Sequence, residues 1–363
     1  SRRAARTSPA CEAVPTRAFV TGGTGLIGRH VVEALLSGGW EVGALVRDPA
    51  RAKDLESRGV RIVVGDVTRP DFVHELAGVD VVFHHAAWFE VGVRDRQSMY
   101  EVNVVGTANL LSLARQEGVP RIVVTSTAGL FPSSLDHPAT EASTPAAALD
   151  DPYVITKLQA HELAVNEIRS GLPVTIVAPA AVFGPHDTNQ LAQSLALLVR
   201  GRLPMLPGGF GVNTWVHAAD VAEGHVLAAT VGRAGEMYLL GDRVLSMYDF
   251  LEAAAHAAGV RPPRAKVPMA LVRPAARLSE WRARRSGRTP LLSRAALEFS
   301  RLDVVVDASK AREVLGWSPR PFEERLRETR AGRVDAKDHG AAPAPDQREG
   351  ASAAGRSRRV CWP

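Results

Sequence analysis

From Arg17 onward the chain alternates short, continuous apolar runs with stretches whose apolar positions recur at helical spacing. The runs RAFVT (17–21), EVGALVR (41–47), RIVVG (61–65), DVVFH (80–84), RIVVTS (121–126) and LPVTIVA (172–178) predict six strands. Helices are predicted over 26–37, stopped by Gly38-Gly39, over 98–116, broken by Gly118, and over 151–170. The strands are apolar without alternation, which marks strands buried on both faces of a parallel sheet. Strand and helix in regular succession predict an α/β fold, a doubly wound parallel sheet with helices on both faces. After Gly184 the regularity ends. Segments 185–214 and 243–330 are richer in Pro, Arg and short helices, while Thr214–Leu240 reads as strand, helix and strand returning towards the main sheet. The organisation expected is a tail at 1–16, a nucleotide-binding domain of 17–184 plus about 215–242, a smaller C-terminal substrate lobe of 185–214 plus 243–330, and a second tail at 331–363.

Charge narrows the range of partners. The net charge is +5. Four arginines against one glutamate in 1–17, and six basic against four acidic groups in 331–363, account for all of it. The 18–330 body is neutral, so a basic nucleic-acid face is not expected. No run approaches the ~20 apolar residues of a membrane helix, and residues 1–15 have no apolar core of a secretory signal. Cys11 and Cys361 both lie in the tails, which supports neither a disulfide framework nor a cysteine metal site and suits a reducing cytoplasm. His84 and His85 have no partner spacing that suggests a metal.

The first strand runs directly into Thr21-Gly22-Gly23-Thr24-Gly25-Leu26-Ile27-Gly28 and then a helix. Gly22 suits the tight turn, Gly25 lets backbone approach a pyrophosphate, and Gly28 lets the helix pack close to the strand. The anion would sit on the helix N-terminus, among Thr24, Leu26 and Ile27. Position between a strand and a helix is what gives the spacing its meaning, and the unit is that of a Rossmann dinucleotide site. At the end of the second strand, where an acid commonly holds the ribose of NAD, stands Arg47, which suits the 2′-phosphate of NADP(H). NADP(H) is therefore the expected cofactor, with NAD(H) as the alternative. Asp66 after the third strand suits the adenine amino group, beside Val67, and Ala86 and Ala87 after the fourth leave room for cofactor.

Tyr153 and Lys157 are four residues apart, on one face of a helix. A free tyrosine, with a pKa of about 10, is a poor base at neutral pH, and a nearby ammonium lowers that value. The fifth strand ends in Thr125-Ser126-Thr127, hydroxyls placed above the C-terminal sheet edge where ligands bind.

TGGTGLIG at 21–28, GDV at 65–67, HHAA at 84–87, NVVGT at 103–107, VVTST at 123–127, YVITK at 153–157, APAAVFGP at 178–185, WVHAADVAEGH at 215–225 and DASKAREVLGWSP at 307–319 occur in that order. Together they resemble the extended short-chain dehydrogenase/reductase family, which includes nucleotide-sugar epimerases, dehydratases and dihydroflavonol-reductase-like enzymes. The resemblance runs from about Ala18 to Thr329. It implies Tyr153 as acid/base, Lys157 on the nicotinamide ribose and tuning Tyr153, and Thr127 as the hydroxyl that holds the substrate oxygen. It also implies Asn103 as a brace from the neighbouring helix, Pro179 and Val182 along the nicotinamide end, and homodimers packed through the 98–116 and 151–170 helices. Ala178 and Asn213-Thr214 stand where nucleotide-sugar enzymes often carry arginine, and Arg47 replaces the acid of NAD-retaining epimerases. These departures lean towards an NADP-linked reductase or dehydrogenase acting on a carbonyl or alcohol of a small organic molecule. A sugar epimerase or dehydratase with tightly held NAD, and a non-catalytic dinucleotide sensor, are the alternatives. Trp88, Phe183, Phe210 and Trp215 are candidates for an apolar substrate wall or, equally, core aromatics.

Overall fold

The computed structural model of the chain describes residues 16–329 apart from 94, 204, 208–210, 264 and 287–292. The expected tails, save Thr16, and Phe210 lie outside the described residues. The described residues form twelve strands: β1 Arg17–Thr21, β2 Glu41–Val46, β3 Arg61–Val64, β4 Val81–His84, β5 Arg121–Thr125, β6 Val174–Pro179, β7 Ala181–Phe183, β8 Met205–Pro207, β9 Val212–His217, β10 Met237–Leu240, β11 Arg243–Ser246 and β12 Ala265–Val267. Seven of them make one sheet in the order β10-β6-β5-β4-β1-β2-β3, every pairing parallel. The connection direction reverses at β1, whose neighbours are β2 and β4. That reversal opens the crevice at the carboxyl ends of β1 and β4 in which such sheets bind ligands.

Successive side chains of β1 explain why its run is apolar throughout. Val20 points into a cluster with Val31 and Leu35 of the Leu26–Ser37 helix, Tyr238 and Trp317. Phe19 points the other way, into a cluster with Leu110, Leu113, Ile122 and Ile176. Both faces of the sheet are covered, so neither tolerates a polar alternate position. The Ala218–Thr230 helix packs beside Leu26–Ser37 on the first face. Its Gly224 lies so close to β10 that a Cβ there would stand 2.4 Å from Leu240.

The helix expected at 98–116 is one axis with three windings: α-helix at Arg96–Tyr100, π-helix at Glu101–Val105 and α-helix again at Gly106–Gln116. Apolar spacing has no term for an extra residue inserted into a turn, which is why the sequence shows a plain helix. The strand–helix–strand reading of 214–240 is divided between two sheets. The Ala218–Thr230 helix and β10 join the main layer, whereas β9 pairs with β7 and antiparallel with β11 in a three-stranded sheet. Beneath that small sheet Phe183, Trp215, Phe250 and Phe322 pack face and edge, Trp215 stacking on Phe250 with centroids 3.9 Å apart. Phe183 and Trp215 are thus core aromatics rather than a substrate wall.

The C-terminal segment is fastened to the main layer by a buried charge pair. Arg325 Nε donates to both oxygens of Asp220 at 3.1 and 2.9 Å, and Arg325 Nη1 reaches Glu328 at 2.7 Å. Trp317 Nε1 donates to the Asp220 carbonyl at 2.8 Å. Asp220 and Arg325 are 1% and 8% exposed, so removing one partner strands a desolvated charge. Asp220→Ala is expected to lower unfolding stability by about 3 kcal/mol, read as a fall in the urea midpoint. A shift below about 1 kcal/mol would show that Glu328 alone is sufficient to hold Arg325.

Candidate active site

The turn after β1 is built by close contact. Gly22 has φ +72°, and a Cβ there would lie 2.6 Å from the Ala86 nitrogen. A Cβ on Gly28 would lie 2.2 Å from the Gly22 carbonyl oxygen, so the helix starts against the turn itself. Gly25 is different: it is exposed, and its only near neighbour is the Gly22 oxygen at 3.2 Å. It is the N-cap of the Leu26–Ser37 helix, with no side-chain cap and no acidic residue in the first turn. The amide groups over Leu26 and Ile27 therefore face outward without competition, next to Thr24, which is the arrangement an anion needs. A dinucleotide pyrophosphate fits this cradle, and a side chain at position 25 would fill it.

Arg47 stands exposed just past β2 and pairs with no carboxylate among the described residues. Asp66, past β3, uses one oxygen to accept from Thr68 N at 2.9 Å and so holds its own loop. Val67 is buried under Gly106, and its carbonyl accepts from Asn109 Nδ2 at 3.0 Å. Ala86 is half-buried and Ala87 exposed, at the rim beside Gly22. Pro179 closes β6, buried, while Val182 in β7 packs against the main core.

Below this rim the ends of β1, β4 and β5 are tied by hydroxyl–imidazole bonds. His84 Nε2 contacts Thr107 Oγ1 at 2.9 Å, and Thr107 donates onward to the Asn103 carbonyl at 2.7 Å. Thr107 must then accept from His84 Nε2, leaving His84 Nδ1 to accept from Thr21 Oγ1 at 2.8 Å. The second chain is fixed the same way. His225 Nδ1 donates to the Val221 carbonyl at 2.8 Å, so its Nε2 accepts from Thr125 Oγ1 at 2.9 Å. Thr125 Oγ1 in turn accepts from His85 Nδ1 at 2.7 Å. His85 Nε2 is left as a buried acceptor without a hydrogen-bond partner among the described residues. Burial, assisted by the Lys157 charge, brings His84 down to about 3. Burial brings His225 down to about 4, against the opposing Val221 bond. Both imidazoles are neutral at physiological pH, which the two chains require.

The Pro152–Arg169 helix delivers Tyr153 and Lys157. Asp151 caps it, accepting from Tyr153 N at 2.9 Å with one oxygen and from Gly92 N at 2.8 Å with the other. Asn103, inside the π-helical segment, accepts from Trp88 N at 2.7 Å and donates to Trp88 O at 3.1 Å and to Thr156 Oγ1 at 3.0 Å. It thus links the loop after β4 to the helix of Tyr153. The Thr127 side chain lies close enough to the Tyr153 hydroxyl to favour its ionised form. The Tyr153 ring meets Phe89 edge-on at 4.7 Å and Phe299 at 6.4 Å. Lys157 Nζ donates to the Thr125 carbonyl at 2.8 Å. One step further along the same face, His161 Nδ1 bonds Ser126 Oγ at 3.0 Å, and Thr107, Ser126, Lys157 and His161 line a small enclosed cavity.

One expectation is corrected by this geometry. Burial, not the Lys157 ammonium, dominates the resting Tyr153 hydroxyl. Burial raises that hydroxyl to about 12, with the Asp151 charge adding to the effect and Thr127 opposing it. Lys157 is itself buried, its pKa brought down to about 8, and its ammonium is held against the Thr125 carbonyl. The resting tyrosine is a firmly protonated acid. Among the described residues Phe89 and Phe299, rather than Trp88, Phe183 or Trp215, flank it. Trp88 serves the loop, donating from Nε1 to Glu90 at 3.1 Å. His161 continues the spacing Tyr153, Lys157, His161 at every fourth residue, a signal readable in the sequence. His85 and His225 left no such signal, because β4 and the 218–230 helix meet only in three dimensions.

Open amides at a helix start at one end of the crevice and the Tyr153 hydroxyl at the other suit a dinucleotide-dependent oxidoreductase. The chain belongs to the NAD-dependent epimerase/dehydratase family, whose model matches residues 18–241. It is an NAD(P)-dependent oxidoreductase of the extended short-chain dehydrogenase/reductase type that interconverts a carbonyl and an alcohol. It is 32% identical over 310 residues to a 4-hydroxy-2-methyl-3-oxo-4-farnesyl-3,4-dihydroquinoline-1-oxide ketoreductase of Stigmatella aurantiaca, covering 84% of this chain and 92% of that one. It is 29% identical to a 3-beta-hydroxysteroid dehydrogenase of Mycolicibacterium neoaurum over 84% of this chain and 87% of the relative. A dTDP-glucose 4,6-dehydratase from Streptomyces venezuelae, solved with NAD and TYD bound, superposes with TM-score 0.73 at 26% identity, covering 89% of this chain and 98% of that one.

Lys157 carries a stability signature. Its folded pKa of about 8 lies below the ordinary 10.5, so between those values the unfolded chain binds the extra proton. Stability contributed at this site therefore rises as pH climbs through that window, and the full cost of the buried charge is present below pH 8. Relative to a Lys157→Met variant, the wild type is expected to gain up to about 3 kcal/mol between pH 7 and pH 10. Paired denaturant titrations measure this, and a difference that does not move with pH would refute burial of the charged form.

Proposed function

We propose that the enzyme is an NADPH-preferring reductase, working reversibly as a dehydrogenase, for a ketone or aldehyde carried on a largely apolar molecule. The observation that carries this reading is the buried Tyr153 hydroxyl, with Thr127 beside it and Phe89 and Phe299 against its ring. A nicotinamide dinucleotide bound on the cradle supplies hydride to the carbonyl carbon in reduction and takes it back in oxidation. Thr127 holds the substrate oxygen, and Tyr153 gives that oxygen its proton as the carbon gains the hydride. A tyrosine whose pKa lies near 12 is in the donating form across the physiological range, which suits reduction. Lys157, bound to the Thr125 carbonyl, is assigned to the nicotinamide ribose.

Cofactor contacts are assigned to Gly22, Thr24, Gly25, Leu26, Ile27 and Gly28 at the pyrophosphate, and to Arg47 at a 2′-phosphate. Asp66 and Val67 take the adenine side. Ala86, Ala87, Asn103, Thr125, Pro179 and Val182 border the nicotinamide half, with Tyr153 and Lys157. The apolar substrate class is supported by the two phenylalanines at Tyr153 and by relatives whose names specify a farnesyl quinoline oxide and a steroid. Positions that would grip a nucleotide-sugar phosphate are used otherwise. Ala178 is fully buried in β6, and Thr214 Oγ1 accepts from Val306 N at 3.0 Å. A homodimer through the 98–116 and 151–170 helices is part of the proposal, supported by the half-buried Ile155, Leu158 and Leu163 along the second of them.

Tyr153→Phe is expected to lower turnover at least about 10²-fold while weakening dinucleotide affinity by no more than about tenfold, measured by initial rates and fluorescence titration. Retained turnover would remove Tyr153 from the reaction. In the same titration NADPH should bind more tightly than NADH, and Arg47→Ala should erase about tenfold or more of that difference. An unchanged ratio would assign the preference elsewhere.

A further inference from the structure

We infer that the Met269–Ser286 helix is a membrane-surface contact, which seats the enzyme on an anionic phospholipid bilayer without crossing it. The helix is amphipathic in an unusual sense. Its inner face, Val272, Ala276 and Ala283, is buried, the first two packing with Leu297 of the Arg294–Phe299 helix. At 3.6 residues per turn these three lie within about 40° of one another. Opposite them, within about 80°, fall Leu271, Leu278, Trp281 and Arg285. Leu271 is 66% exposed, and Leu278 and Trp281 are each 48% exposed. The outermost ridge of the helix is therefore apolar, where a helix packed on a soluble protein normally turns its polar face.

The flanks identify the occupant. Arg277 borders the ridge on one side and Arg282 on the other, both exposed. Arg285 lies along it with its guanidinium 4.0 Å from the centre of the Trp281 ring. Glu280, the single acid of this helix, is turned inward and accepts from Arg294 at 2.7 and 3.1 Å, while Arg273 pairs with Glu298 at 3.6 Å. The charges left facing outward are all positive. A leucine–tryptophan ridge between arginines is the composition of a helix lying in the lipid interface, apolar side chains below the headgroups and guanidinium groups among the phosphates. A second copy of the chain fits this face poorly, because a two-fold pairing would set the arginine flanks against each other. Among the described residues no helix is long and apolar enough to cross a membrane, so the contact is peripheral.

The helix lies one layer from the active-site mouth. Leu297 of the Arg294–Phe299 helix packs beneath it, and Phe299 of that same short helix stands on Tyr153. A bilayer held on the ridge is thus brought near the opening through which an apolar substrate would arrive. The lipid contact needs only the exposed ridge and is independent of which substrate is turned over.

The test uses the full chain and sedimented vesicles of phosphatidylcholine, alone or with about one part in four phosphatidylglycerol. Association with the anionic vesicles, at least about tenfold over the neutral ones at low salt and reduced by high salt, is expected. A Leu278→Glu/Trp281→Glu variant should lose it while keeping its helical circular dichroism and its dinucleotide affinity. Arg277→Gln/Arg282→Gln/Arg285→Gln, which leaves the ridge intact, should abolish the preference for anionic lipid. Failure of the wild type to sediment with either vesicle, or undiminished sedimentation of the Glu variant, overturns the proposal. So does a concentration-dependent dimer that the Glu variant loses, in a protein that ignores vesicles.

Discussion

The active site depends on one close contact between two chain reversals, the turn after β1 and the turn after β4. Gly22 sits against the Ala86 nitrogen with no space for a side-chain carbon, and Gly28 sits against the Gly22 carbonyl. Because β1 and β4 are adjacent parallel strands, this contact falls at the point where the order of connections reverses. It sets the start of the Leu26–Ser37 helix, and with it the open amides, at the mouth of the crevice. The loop beginning at His85 is held in the same contact, and Asn103 then carries that loop across to the helix of Tyr153. The glycine turn and Tyr153 are thus positioned by a continuous path of backbone contact and hydrogen bonds.

Under that path the protein buries an unusual density of polar groups. His84, His225 and Lys157 are all inside, and each is paired with a hydroxyl or carbonyl whose own bonding fixes the direction of donation. Networks of this kind are rigid when fully satisfied and costly when they are not. The burial that neutralises the imidazoles is the same burial that raises Tyr153 and lowers Lys157, so the acid–base character of the site arises from exclusion of water more than from charge placed beside charge.

Around this centre, the C-terminal half packs against the main layer and contributes Phe299 beside Tyr153. The Arg325–Asp220 pair locks the far end of the chain to the start of the 218–230 helix. The segment before it is anchored more lightly, with Phe299 resting on Tyr153 and the arginine-flanked helix outermost.

The sequence by itself determined the parallel sheet, the glycine turn and the Tyr153–Lys157 pair, because each rests on local spacing: strand length, a turn that admits no side chain, and four residues along a helix. It also marked Arg47, which lies at a strand end. Tertiary structure alone decided the rest. The π-helical segment around Asn103 has the apolar pattern of an ordinary helix, and β9 has the look of any buried strand until its partners are known. Phe183 and Trp215 are as aromatic as Phe89 and Phe299, and only packing separates core from site. The pKa of Tyr153 was misjudged from sequence because the spacing of a lysine was visible and the depth of burial was not. Desolvation is a property of everything that surrounds a group, so no run of neighbouring residues records it.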